Sequence, residues 1–105
     1  MMKERKRYNL YLSDVVWAEL RRHVILQPGQ DASGVAEYVL RAWLDAPTQL
    51  AVQERGAWES PARRSVYLRP DTWERVKEQA ERQGISVSRL TETLLRNYLG
   101  IAEKP

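Results

Sequence analysis

Two short segments of the chain place hydrogen-bonding side chains on every second residue: Arg7, Asn9 and Tyr11 in one, Arg63, Ser65 and Tyr67 in the other. Residues two apart share one face of an extended strand, so each trio forms a row. The residue types suit the edges of nucleic-acid bases. Arginine bridges guanine O6 and N7, asparagine bridges adenine N6 and N7, and serine bonds either kind of base. Tyrosine can donate its hydroxyl to a base or phosphate while its ring packs on a thymine methyl or a sugar. No catalytic set accompanies them: there is neither a glycine-rich phosphate loop nor a nucleophile–base–acid arrangement. The chain has no cysteine, and its one histidine, His23, lies in no cluster of Asp, Glu or His residues that would make a metal site. The expectation is a binding protein, not an enzyme, with no cofactor and no metal.

The elements that must carry these rows occur twice. At an offset of 56, Arg7 matches Arg63, Tyr11 matches Tyr67, Leu12 matches Leu68 and Trp17 matches Trp73. The offset becomes 55 further on, where Ser33 matches Ser88, Val35 Leu90, Val39 Leu94, Leu40 Leu95 and Leu44 Leu99. One additional residue near Gln27-Pro28-Gly29-Gln30 explains the change. The copies divide the chain into residues 1–46, a linker 47–62 and residues 63–105.

Each copy reads as strand, helix, helix. In the first strand Tyr8, Leu10 and Leu12 oppose the polar row. In the second, Arg64, Val66 and Leu68 do so, with Arg64 expected at a frayed end. Strands are expected at 5–12 and 63–69. Ser13 is a good N-cap before Asp14, and Pro70 suits a first helical position. Trp17, Leu20 and Val24 form one apolar stripe, and Trp73, Val76 and Ala80 the other. Gly29 and Gly84 break the first helices. Asp31 and Ser86 cap the second ones, whose stripes are Val35, Val39, Leu40, Trp43, Leu44 and Leu90, Leu94, Leu95, Tyr98, Leu99. Residues 48–55 are compatible with a short helix, and Trp58 with packing on the core. Arg21, Arg22, Arg75, Lys77, Glu78, Glu81 and Arg82 read as a solvated face.

A lone strand in a unit of this size has no partner for its backbone groups, and so small a unit buries too little surface to stand alone. Pairing the two strands antiparallel over four helices resolves both. The fold expected is mostly α with a two-stranded antiparallel β-ribbon and one shared core. Such a ribbon fits the major groove of B-DNA.

Arg-Tyr-Asn-Leu-Tyr-Leu-Ser-Asp (7–14), Arg-Ser-Val-Tyr-Leu-Arg-Pro-Asp (64–71) and Gly84-Ile85-Ser86-Val87-Ser88 resemble the ribbon-helix-helix (MetJ/Arc-type) DNA-binding family, in its tandem, TraY-like form. The likeness spans about 80 of the 105 residues. It implies a ribbon-helix-helix pseudo-dimer within one chain, with Arg7, Asn9, Tyr11, Arg63, Ser65 and Tyr67 on base edges. It also implies phosphate held at the amides opening the second helices, around Ser86, Val87 and Ser88 and around Ala32 and Ser33. Asp31 in place of Ser86 departs from the pattern, since a carboxylate repels phosphate. Lys3, Arg5 and Lys6 add candidate phosphate contacts.

The net charge of +3, from 17 basic and 14 acidic residues, favours an anionic partner only weakly, so distribution must carry the argument. The expected function is sequence-specific double-stranded DNA binding by a transcriptional repressor or regulator. The alternatives are a relaxosome-type or architectural accessory factor, and an antitoxin or protein adaptor; the few residues after Leu99 argue against a toxin-binding tail. The chain would act as a monomeric pseudo-dimer or a homodimer of chains. No apolar run is long enough to span a bilayer and no signal peptide opens the chain, so a cytoplasmic protein is expected. The resemblance implies a prokaryotic, plasmid, phage or archaeal setting.

Overall fold

A computed structural model describes residues 4–101. Its elements run β1 (Lys6–Ser13), α1 (Asp14–Ile25), α2 (Ala32–Leu44), β2 (Pro61–Leu68), α3 (Pro70–Gln83) and α4 (Val87–Leu99). The two strands pair antiparallel, with Lys6 opposite Leu68 and Ser13 opposite Pro61. Proline is tolerated there because it opens a strand.

Local chemistry sets the boundaries. Ser13 caps α1 by accepting from the Val15 amide at 3.1 Å. Asp31 caps α2 through the Gly34 amide at 2.6 Å, and Ser86 caps α4 through the Arg89 amide at 3.1 Å. Pro70 starts α3. Gly84 closes α3 in the left-handed region, at φ 68°, where a side chain would be strained. That turn lets the Ile85 amide bond back to the Ala80 carbonyl at 3.1 Å.

Each strand packs against the second helix of the other copy, β1 on α4 and β2 on α2, and α2 also packs on α4. One apolar cluster results, drawing Leu10, Leu12, Val16, Leu20 and Leu40 from the first copy and Val66, Leu68, Val76, Leu90 and Leu95 from the second. Neither copy could close such a core by itself.

The structure corrects several expectations. Arg64 is not at a frayed end. It sits opposite Leu10 in mid-ribbon, with its guanidinium 5.3 Å from the Trp17 ring centre. Its repeat counterpart Tyr8 stacks on Trp73, with ring centres 4.3 Å apart. The two tryptophans are therefore half-buried lids at the margin of their stripes. The fully buried positions are the residues before them, Val16 and Thr72. Tyr98 is exposed, not part of the α4 stripe.

The linker also differs. Residues 48–55 form no helix, and β2 begins at Pro61. Trp58 is 57% exposed. Its ring lies over Gly56, so close that a Cβ there would collide with it.

Leu50 packs against the core, and polar contacts anchor the rest of the linker. Arg55 bonds both carboxylate oxygens of Glu92 at 3.1–3.2 Å, and Glu59 pairs with Arg96 and accepts from the Ser13 hydroxyl. Glu92 is 1% and Arg96 2% exposed. The Leu50 amide is held by the Gln83 side chain at 3.0 Å.

Candidate nucleic-acid interface

The ribbon register turns six polar side chains into three rungs. Arg7 lies opposite Tyr67, Asn9 opposite Ser65, and Tyr11 opposite Arg63. All six are exposed, while Leu10, Leu12, Val66 and Leu68 on the reverse face are buried. In the repeat Arg7 corresponds to Arg63 and Tyr11 to Tyr67. The outer rungs therefore carry the same pair of residue types with the strands exchanged. Only the middle rung is unequal, and there the Ser65 hydroxyl donates to Asn9 Oδ1 at 3.2 Å.

None of the six is acidic. Among the described residues no carboxylate pairs with Arg7 or Arg63, in contrast to Arg5, Arg41, Arg55, Arg69, Arg82, Arg89 and Arg96, which are all in ion pairs.

A two-stranded sheet has two open edges, whose amides need acceptors. The second helices supply them crosswise. The Tyr11 amide donates to Ser88 Oγ at 2.9 Å and the Ser13 amide to Glu92 at 2.7 Å. On the other strand the Tyr67 amide donates to Ser33 Oγ at 2.8 Å and the Arg69 amide to Glu37 at 2.8 Å. The hydroxyls of Ser33 and Ser88, whose backbone amides the sequence reading assigned to phosphate, thus hold the ribbon edges, and Ser33 is buried.

The two helix openings are not alike. At α2, beside Ala32 and Ser33, the Asp31 carboxylate occupies the helix opening and meets Arg5 at 3.3 Å. The Gly34 amide, with Arg5, holds the Asp31 carboxyl below its ordinary range. Gly34 permits the close approach, since a Cβ there would lie 2.7 Å from the carboxylate oxygen. At α4 the neutral Ser86 stands in the same place, with Val87 and Ser88 half-buried behind it. Lys6 is exposed at the ribbon end opposite Leu68. Lys3 lies outside the described residues.

The sequence reading missed the carboxylates at the strand-to-helix junctions. One signal was present: Glu37 and Arg41 recur as Glu92 and Arg96 at the same offset of 55 as the apolar stripe. Polar identities kept in register with core positions point to a buried job, not a solvated face.

Among the described residues no helix is long and apolar enough to cross a membrane, and no group of three or more His, Asp or Glu side chains could hold a metal ion. Comparison with protein-family models, with curated proteins and with solved structures finds no match to this chain.

Proposed function

We propose that the chain is a tandem ribbon-helix-helix protein, a pseudo-dimer within one polypeptide, that binds double-stranded DNA by laying its ribbon in the major groove. The observation that carries this reading is the three-rung outer face, which has no carboxylate and whose two arginines pair with none among the described residues. A ribbon of this width enters the major groove, and arginine bonding guanine is the commonest specific contact there. The crosswise edge contacts keep the rungs in fixed register, which direct readout requires. Bound at a promoter, such a protein would act as a repressor or regulator by excluding other proteins from the site.

The test is affinity on a duplex selected from random DNA and on a shuffled duplex of equal length, at one salt concentration. Arg63→Ala or Arg7→Ala should cost about 1–3 kcal/mol on the selected duplex, with a far smaller loss on the shuffled one. Equal losses on both would reject base reading. No binding to either at low salt would reject DNA as the partner.

The protein-adaptor reading has one observation in its favour. Ile25, Leu26, Tyr38 and Tyr98 are exposed, and Tyr98 meets both Tyr38 and His23 edge-on. Exposed apolar clusters mark protein contacts. A stoichiometric protein partner, with no DNA sequence enriched, would favour it.

A further inference from the structure

We infer that the middle rung, Asn9 with Ser65, alone sets the direction in which the ribbon lies on its site. The preferred DNA would then be an inverted repeat in its outer positions and unequal only at its innermost ones. This rests on the DNA-binding reading above.

In an antiparallel pair, the local two-fold axis of this face passes between Asn9 and Ser65, which lie directly opposite. Rotation about it carries the Arg7–Tyr67 rung onto the Arg63–Tyr11 rung, so the outer rungs present identical groups to the two halves of a duplex. Identical groups select identical half-sites, related by the duplex's own two-fold symmetry. The same rotation puts Ser65 where Asn9 was, and these are different readers. Asparagine can bond adenine through donor and acceptor together, whereas a hydroxyl bonds either kind of base.

The hydrogen bond between them widens the difference. Ser65 donates its proton to Asn9 Oδ1 at 3.2 Å, which turns the Asn9 amide nitrogen away from Ser65. Ser65 is thus a positioning residue for Asn9, and Asn9 is the central reader. Preference at one innermost position should be roughly 5- to 150-fold, the range of one bidentate base contact. The opposite position should show little.

The test is selection from a duplex library randomised through its centre, with the wild type, Ser65→Asn and Asn9→Ser. All six face residues are exposed, so unchanged melting temperatures are expected for both variants. The wild type should enrich an inverted repeat broken at its innermost base pairs. Ser65→Asn should enrich a self-complementary site throughout. Asn9→Ser should keep the outer repeat and lose preference at the centre.

Two results would overturn the inference while leaving DNA reading intact. One is a wild-type site whose outer halves are unrelated. The other is a central asymmetry that persists in both variants, which would trace direction to Asp31 and Ser86 instead. A wild type that enriches no sequence would reject sequence-specific reading itself, and this inference with it.

Discussion

The two strand-to-helix junctions use the same device in different surroundings. At each, a glutamate from the opposite copy's second helix accepts the amide where a strand ends: Glu37 for Arg69, and Glu92 for Ser13. Glu37 is half-buried, and its other partner is the Thr72 hydroxyl. Glu92 is fully buried, and it is held by Arg55 from the linker and by Arg96 from its own helix. The linker brings Arg55 and Glu59 to the Glu92 junction. A repeated motif thus sits beside partly exposed ion pairs of Asp71 with Arg41 and Arg69 in one half and within a desolvated ion network in the other.

That difference predicts unequal costs. Removing one partner of a buried ion pair costs about 3–5 kcal/mol, because the other charge stays buried without compensation. Glu92→Ala should fall in that range by urea denaturation. Glu37→Ala leaves the half-buried Arg69 amide and the buried Thr72 hydroxyl without their acceptor but strands no buried charge, which costs about 1–3 kcal/mol. Equal losses would mean that the linker layer adds nothing to the second junction.

These junctions also mark where the sequence was legible. The repeat, the period-two rows and the caps Ser13, Asp31 and Ser86 are local, so propensity and spacing reveal them. The ribbon followed from them because unpaired strand edges need partners. Burial of Thr91, Glu92, Thr93 and Arg96 was not legible, because it depends on where the linker runs. Helical periodicity assigns polar residues to solvent, and nothing local in Arg55 or Glu59 says which helix they meet. Arg64 was misplaced for a related reason. An arginine on an apolar strand face looks like a defect until Trp17, from the other strand's copy, supplies a ring to cover its stem.

Acid should separate the halves as well. The Glu59 side chain is 4% exposed. Burial opposes its ionisation, but hydrogen bonds from Ser13, the Gly56 amide and Arg96 outweigh this and hold it below its ordinary value of 4.5. A carboxyl lowered in the folded state stabilises above its unfolded value and loses that contribution as pH falls through the folded one. Wild-type stability should therefore fall as pH drops below about 4.5. Glu59→Gln should be less stable at neutral pH and show a shallower acid limb. Asp31 is also lowered, but its side chain is 62% exposed. Its contribution should fade with added salt, as exposed pairs do, while that of Glu59 persists. An acid limb unchanged in Glu59→Gln would remove the linker network from the explanation of acid sensitivity.

The smallest expected difference lies under the ribbon, where the repeat has substituted one ring contact for another. Tyr8 stacks on Trp73, whereas Arg64 lies over Trp17. A stacked aromatic pair contributes about 0.5–1.5 kcal/mol beyond its buried area, and a cation–π contact a comparable amount, from about 0.5–1 kcal/mol where exposed. Arg64 also has its Nε buried without a hydrogen-bond partner, a desolvation cost that Tyr8 lacks. Arg64→Tyr would place on Trp17 the ring that already fits Trp73 in the equivalent setting. Its melting temperature should equal or slightly exceed that of the wild type, and Tyr8→Arg should lower it. If Arg64→Tyr were clearly destabilising, the two sites would not be interchangeable. The guanidinium would then do something at the ribbon that a ring cannot, such as adding positive charge beside the outer face. Wild-type DNA affinity in a stable Arg64→Tyr protein would exclude that role and leave packing as the reason for the arginine.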